Sequence, residues 1–301
     1  MSAKAVDTAN PPALATGKLV LSADPAAQAR LKADRRVALM RTVGRSLGNA
    51  GITFAVVLLL WQCIVSFSGI SPFVAKGPVD VWNFLFTDED AAANRAEMAP
   101  LVAQTLTDSA IGFFFGMITA IVLAVLFSLS KSVEAGVMPL VLLLRTIPLV
   151  SIAPVIILIT GRGTVASVAV IGTIVVLFPA LASILFGLSR ASKQSIDVVH
   201  VFGGGRLTAL RKVSMPGAGP SLFAAGRVSV PGAVTGALLA EWLSTGQGIG
   251  GSILKFNAQA QFTELWTSIA LITLITLFLY NIVQIVESIV LVRMGMSFTQ
   301  R

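Results

Sequence analysis

The residue types that carry enzymatic chemistry are scarce in this sequence and badly placed for it. There is one histidine, His200, and one cysteine, Cys63, so a disulfide framework and any Cys-based metal site are excluded. No HExxH and no GxSxG occurs, and no glycine-rich loop ends in GK[ST] to cradle a phosphate. Gly203, Gly204 and Gly205 resemble a nucleotide loop only superficially, because no strand pattern precedes them and no lysine follows at the needed spacing. The chain is expected to be no enzyme, to bind no ATP itself and to hold no cofactor or metal.

Two other constellations offer physical chemistry of a different kind. Arg145 and Arg227 each interrupt an otherwise apolar stretch, Ala135 to Gly161 and Ala218 to Ala240, and the same stretches contain Pro139, Pro148, Pro154, Pro220 and Pro231. Proline breaks regular helix, and irregular backbone at membrane depth survives only where protein or a water-filled cavity surrounds it. Neither stretch is therefore expected to be an unbroken helix. Arginine beside such breaks points to a polar pathway bounded by these two segments, with Arg145 and Arg227 lending positive potential to a small anion. The alternative is structural kinks with arginines directed to the interface. The second constellation is the segment Asp197 to Pro216, where Val198, Val199, Val201 and Phe202 precede the glycines and Leu207, Leu210 and Val213 follow them. The pattern predicts two short amphipathic helices around a flexible elbow, whose apolar sides pack on the bundle or dock into a partner's groove.

The elements that must position these residues follow from the charges. The chain of 301 residues is 55% hydrophobic and 12% charged with mean hydropathy +0.86, against about 25% charged in soluble domains. Uncharged runs of 30 residues separate Arg45 from Lys76, 22 separate Asp108 from Lys131, 27 separate Arg162 from Arg190 and 22 separate Glu264 from Glu287. Each reaches the ~20 residues a helix needs to cross the hydrocarbon. With the two arginine-bearing stretches, six spans are expected in an all-α membrane protein. Sixteen basic residues fall on the side of the termini and four on the other, which also carries Asp88, Glu89 and Asp90. Both termini and the 190–217 loop are therefore expected to be cytoplasmic. The net charge of +8 is read as this topology signal, and no nucleic-acid partner is expected.

Residues 1–45 read as a cytoplasmic tail whose basic stretch from Arg30 to Arg45 suits a helix on an anionic lipid surface or, equally, a generic basic flank to the first span. Residues 46–296 form the six-span domain, and 297–301 a C-terminal tail. The outer segment from Gly69 to Met98 predicts a short surface helix anchored by Trp82, Phe84 and Phe86. Gly112 with Gly116 and Gly232 with Gly236 form two GxxxG pairs that allow close helix approach, within the bundle or between copies of the chain.

The loop from Asp197 to Pro216 resembles the EAA loop of permease subunits in bacterial ABC importers, E-A-A-x3-G-x9-I-x-L-P, without a gap. Asp197 stands at the acidic position, Val198 and Val199 at the alanines, Gly203 at the glycine, Val213 at the isoleucine, Met215 at the leucine and Pro216 at the proline. Both alanines are replaced, and three other positions carry conservative exchanges. Gly203 lies 98 residues from the C-terminus, where that family places the loop. Leu144 to Gly163 and Gly226 to Ile253 resemble further stretches of importers for nitrate, sulfonates and taurine, so the resemblance covers roughly residues 50 to 295.

The resemblance implies a type I ABC importer permease fold in the bacterial inner membrane. It also implies a homodimer of this chain, two separate ATPase subunits at the EAA loops, and an extracytoplasmic solute-binding protein. Within it Gly203 is the sensitive loop position, while Gly204 and Gly205 lie outside the pattern and add flexibility. Pro148 belongs to the pathway stretch, and Glu241 matches an acidic residue that docks the binding protein or gates the outer mouth. A solvated interfacial carboxylate is the alternative for Glu241. The competing reading is a six-span secondary transporter or channel, which requires coupling carboxylates inside the spans, whereas Asp108, Glu241, Glu264 and Glu287 are expected near helix ends.

Overall fold

The computed structural model describes residues 51–293 together with Gly44 and Gly48. The expected basic helix from Arg30 to Arg45 and the two tails lie outside the described residues, Gly44 apart. The chain divides after Ala55 into two units, of which the second, Val56–Arg301, holds nearly all described elements.

Every regular element among the described residues is helical. Helix α1 (Gly51–Phe67) precedes the short α2 (Pro78–Trp82), which widens into a π-turn over Asn83–Thr87. Then come α3 (Ala91–Leu129), α4 (Lys131–Thr146), α5 (Leu149–Thr160) and α6 (Val165–Ser189). A loop region follows with α7 (Lys193–Val201), α8 (Arg206–Ala209), a π-turn over Leu210–Ser214 and α9 (Met215–Gly217). The last elements are α10 (Gly219–Ala240), extended by a π-turn over Glu241–Thr245, α11 (Gly248–Ala258) and α12 (Phe262–Arg293).

Four helices are long and apolar enough to cross a membrane: α3, α6, α10 with its π-turn, and α12. The pair α4 and α5, bent by 110°, supplies a fifth crossing if its halves form one span. α1 coincides with the first expected span but is shorter than a crossing needs within the described residues. The expected short helix between Gly69 and Met98 is α2, where the Gly77 amide donates to Asp80 Oδ2 at 2.7 Å and Trp82 packs on Phe86 at 4.6 Å.

Proline breaks one of the two arginine-bearing segments and spares the other. Ile147 is extended at φ −74° and ψ 125°, as a residue before proline must be, so α4 ends there and α5 starts after Pro148. Pro139 and Pro154 lie inside α4 and α5 without ending them. The expected break in the fifth span is absent, because α10 runs continuously through Pro231 and takes Pro220 in its first turn. A first-turn proline gives up no intrahelical bond. The one lost at Pro231 is tolerated in a helix clamped by neighbours along Ser229, Val230, Ala233, Val234 and Ala237, all buried.

Those neighbours are α3 and α6, and the three backbones meet at glycine. A Cβ on Gly112 of α3 would stand 2.9 Å from the Gly172 Cα of α6, and one on Gly236 of α10 3.0 Å from that same atom. A Cβ on Gly116 would overlap Val176. Gly112, Gly116 and Gly236 thus serve packing inside the chain, where close backbone approach replaces the hydrophobic driving force that lipid cannot supply, while a side chain at Gly232 would meet only ordinary contact. Below this contact Ala120, Ala124 and Phe127 of α3 interlock with Val176, Ala180, Leu181 and Ile184 of α6. The outward apolar residues, such as Phe114, Leu277 and Phe278, remain exposed on the single chain.

Candidate functional site

The loop region is built around a helix end that needs glycine. Ser192 caps α7, its hydroxyl accepting from the Ser195 amide at 3.4 Å. At the other end the Gly204 amide donates to the Val199 carbonyl at 2.8 Å and the Gly203 amide to the His200 carbonyl at 2.9 Å. These two bonds are a Schellman closure, which requires a left-handed residue just past the helix. Gly203 supplies it with φ +78°. A Cβ on Gly203 would meet nothing within 4 Å, so conformation is the only demand made on that position by the chain itself. Gly204 is different: its Cβ would stand 2.5 Å from Val199 Cγ1 and 2.9 Å from the Val199 carbonyl oxygen. The assignment of Gly204 to mere flexibility is thereby corrected, whereas Gly205 has open space.

Beyond the turn, Ala209, Leu210 and Ser214 are buried and fasten this half of the loop to the bundle. Asp197, Val198, Gly203, Met215 and Pro216 are exposed, and Val199 and Val213 are partly covered. Val201 and Phe202 are 85% and 86% exposed, and Leu207 stands out beside them. An apolar ridge is thus held outward by a rigid turn, which is suited to insertion into a groove on another protein.

Of the residues assigned to a pathway, Arg145 and Pro148 are exposed on the single chain, at the α4–α5 break, with the Arg145 guanidinium 4.2 Å from the Phe178 ring centre. Arg227 and Glu241 differ from expectation. Glu287 of α12, 4% exposed, places Oε2 3.2 Å from Arg227 Nη1, an ion pair without hydrogen-bond geometry. The free positive potential expected of Arg227 is therefore largely neutralised by a residue 60 positions away in the sequence.

Glu241 is no solvated mouth residue: its exposure is 0%. Its Oε2 accepts from the Gly250 amide at 2.7 Å and from Thr105 Oγ1 at 3.0 Å, and Thr105 Oγ1 itself accepts from the Ile249 amide at 2.9 Å. Together these side chains cap the first turn of α11, whose free amides are a natural seat for a carboxylate. Gly248 has no room for a Cβ because the Glu241 carboxyl fills the place. Asp108 lies beside Glu241, 3% exposed, with Gln104 Nε2 donating to its Oδ1 at 3.1 Å. Far from a helix end, Asp108 sits in the middle of α3. In this conformation Glu241 ties α3, α10 and α11 together and offers no oxygen to a docked protein.

A consequence is measurable. Glu241→Ala leaves the buried Gly250 amide and Thr105 hydroxyl without their shared acceptor and should cost about 1–3 kcal/mol, whereas Glu241→Gln keeps a carbonyl oxygen for Gly250 and should cost less. Thermal unfolding of the purified protein in detergent reads the difference. Equal loss in both variants would show that the charge, and not the acceptor, matters.

Comparison with known proteins adds identity to this geometry. Residues 112–295 match the family described as binding-protein-dependent transport system inner membrane component. A probable ABC transporter permease protein of Haemophilus influenzae is 27% identical over 226 residues, covering 75% of this chain and 89% of that protein. The riboflavin transport system permease protein RibX of Chloroflexus aurantiacus is 25% identical, with 78% and 86% covered. The putative aliphatic sulfonates transport permease protein SsuC of Bacillus subtilis is 23% identical, with 77% and 83% covered.

Proposed function

Because this chain belongs to the family of binding-protein-dependent transport system inner membrane components, the permease subunits of ABC importers, we propose that the Asp197–Pro216 loop is its ATPase contact and that a homodimer of the chain encloses the solute path. Two ATPase subunits would engage the two loops, and an extracytoplasmic binding protein would deliver the solute from the other side. The observation that carries this reading is the exposed ridge of Val198, Val201, Phe202 and Leu207 on a turn fixed by Gly203. An apolar surface fastened in one orientation can pass the closure of an ATPase pair into the helices as a rigid-body movement. Co-purification of ATPase subunits with the wild-type chain, and their loss on Phe202→Asp, is the direct test. Retention of the subunits by that variant would remove the assignment.

For the solute we propose a small anion of the nitrate, sulfonate or taurine kind. Support comes from the resemblance of Leu144–Gly163 and Gly226–Ile253 to those importers, from the sulfonate relative and from Arg145. The Arg227–Glu287 pair weakens the electrostatic part of the argument, and the riboflavin relative shows that the same family serves other solutes. We further propose six spans with both termini and the loop in the cytoplasm, on the sixteen-to-four distribution of basic residues. In a protein whose exposed Cys63 has been replaced, Asp88→Cys should react with an impermeant thiol reagent in intact cells and Gly205→Cys should not. Gly205 suits the purpose because a side chain there meets nothing. The reverse labelling pattern would invert the topology.

A further inference from the structure

A cleft of about 610 Å³ opens where the ends of α3 and α6, the start of α4 and the loop region come together. Its lining combines the apolar surfaces of Leu185 and Phe186 with the basic Lys131, His200 and Arg206, and Glu134 is its single acid. The two long walls belong to helices whose apolar segments reach membrane-spanning length, so the cleft straddles the level at which hydrocarbon gives way to charged residues. It also lies behind the coupling ridge: Ile196 and His200 of α7 line it, while Val198, Val201 and Phe202 do not.

We propose that this cleft is a binding site for an anionic phospholipid, with the headgroup phosphate at Arg206 and an acyl chain along Leu185 and Phe186. Basic pockets between membrane helices on the cytoplasmic side recognise such headgroups. The cytoplasmic placement rests on the topology proposed above. The charge arrangement selects the anchor. Lys131 Nζ is held by Glu134 Oε2 at 2.7 Å, so its charge is spent locally. Among the described residues Arg206 makes one hydrogen bond, a long one of 3.5 Å from Nη1 to the Leu129 carbonyl, which leaves most of its five donors for a phosphate. The N-terminal tail of this chain is a poor occupant because it carries eight basic residues of its own before the first span. An ATPase subunit would meet the outward ridge and not the cleft behind it.

The experiment is native mass spectrometry of the full chain, alone and with its ATPase subunits, in detergent supplemented with phosphatidylglycerol or phosphatidylcholine. The wild type should retain phosphatidylglycerol in preference to phosphatidylcholine in both assemblies. Arg206→Gln should lower that retention about fivefold, the worth of one basic residue near an anionic surface. Glu134→Gln, which releases Lys131, should raise it, a gain that damage to the fold would not produce. Calorimetric titration with inorganic phosphate alone should show no binding. Equal retention of the two lipids, or unchanged retention in both variants, would overturn the proposal. So would phosphate binding that Arg206→Gln abolishes, which assigns the cleft to a soluble anion, or loss of the lipid on ATPase assembly, which assigns it to that protein. Because lipid retention needs no transport, a failed coupling role and a failed lipid site give different results.

Discussion

Gly203→Val is expected to abolish ATP-driven uptake while leaving the protein inserted and folded. The Gly203 backbone sits at φ +78°, where a side chain costs roughly 1–2 kcal/mol and a β-branched one more. No neighbouring atom would be struck, so the bundle has no reason to unfold. What is lost is the turn. Without a left-handed residue the amides of Gly203 and Gly204 cannot both reach the carbonyls of His200 and Val199, and the ridge at Val201 and Phe202 loses its fixed direction. Gly203→Asn, which tolerates the left-handed region, should retain appreciable uptake and so separate conformation from contact. Gly204→Ala should be damaging through its overlap with Val199, and Gly205→Ala close to wild type. Uptake in proteoliposomes with ATPase subunits and binding protein, set against membrane abundance, ranks the four. Full activity of the valine variant would disprove the coupling role.

Arg227→Gln is expected to be the most destabilising of the polar substitutions. It strands the Glu287 carboxylate, almost wholly buried, without its counter-charge, and breaking a buried pair costs about 3–5 kcal/mol. Glu287→Gln strands the arginine in turn. The double variant Arg227→Gln with Glu287→Gln removes both charges and should recover most of the stability, since no unpaired charge is left buried and two amides are far cheaper to bury. Thermal unfolding of the four proteins in detergent completes the cycle. The double variant then answers a question of function as well: if it folds and still imports its solute with Arg145→Gln added, the positive potential assigned to the two arginines plays no part. A single Arg227→Gln variant as stable as the wild type would instead show the ion pair to be dispensable.

Gaps between charges located α3, α6 and α12 because hydrocarbon excludes unpaired charge, and the length of each gap follows from bilayer thickness. The same reasoning misplaced Asp108 and did not anticipate the burial of Glu287. A gap reading makes every charge a border, yet Asp108 lies mid-way along α3, held by Gln104 one turn before it, and Glu287 toward the end of α12 is buried against Arg227, a partner 60 positions away that no spacing reveals. Thr105, Ile249 and Gly250 around Glu241 come from positions up to 145 apart and share no spacing that a linear reading could detect. The loop was more legible. Its elbow is local, since a helix end, a left-handed residue and two backbone bonds all lie within six residues, Val199 to Gly204. Pro231 misled for the opposite reason, because the cost of proline is local but its compensation, the clamp of α3 and α6 on α10, is not. Gly172 gave no signal at all, lacking a glycine four residues away, although two other helices rest on its Cα.

That contact has a genetic corollary. Where a large side chain meets a small one, a harmful enlargement on one helix can be relieved by a reduction on the other, and second-site revertants record the pair. At Gly112, Gly172 and Gly236 each partner already lacks a side chain, so no smaller residue exists to give way. A selection for restored transport after Gly172→Ala should therefore return true revertants at codon 172 and none at the other two.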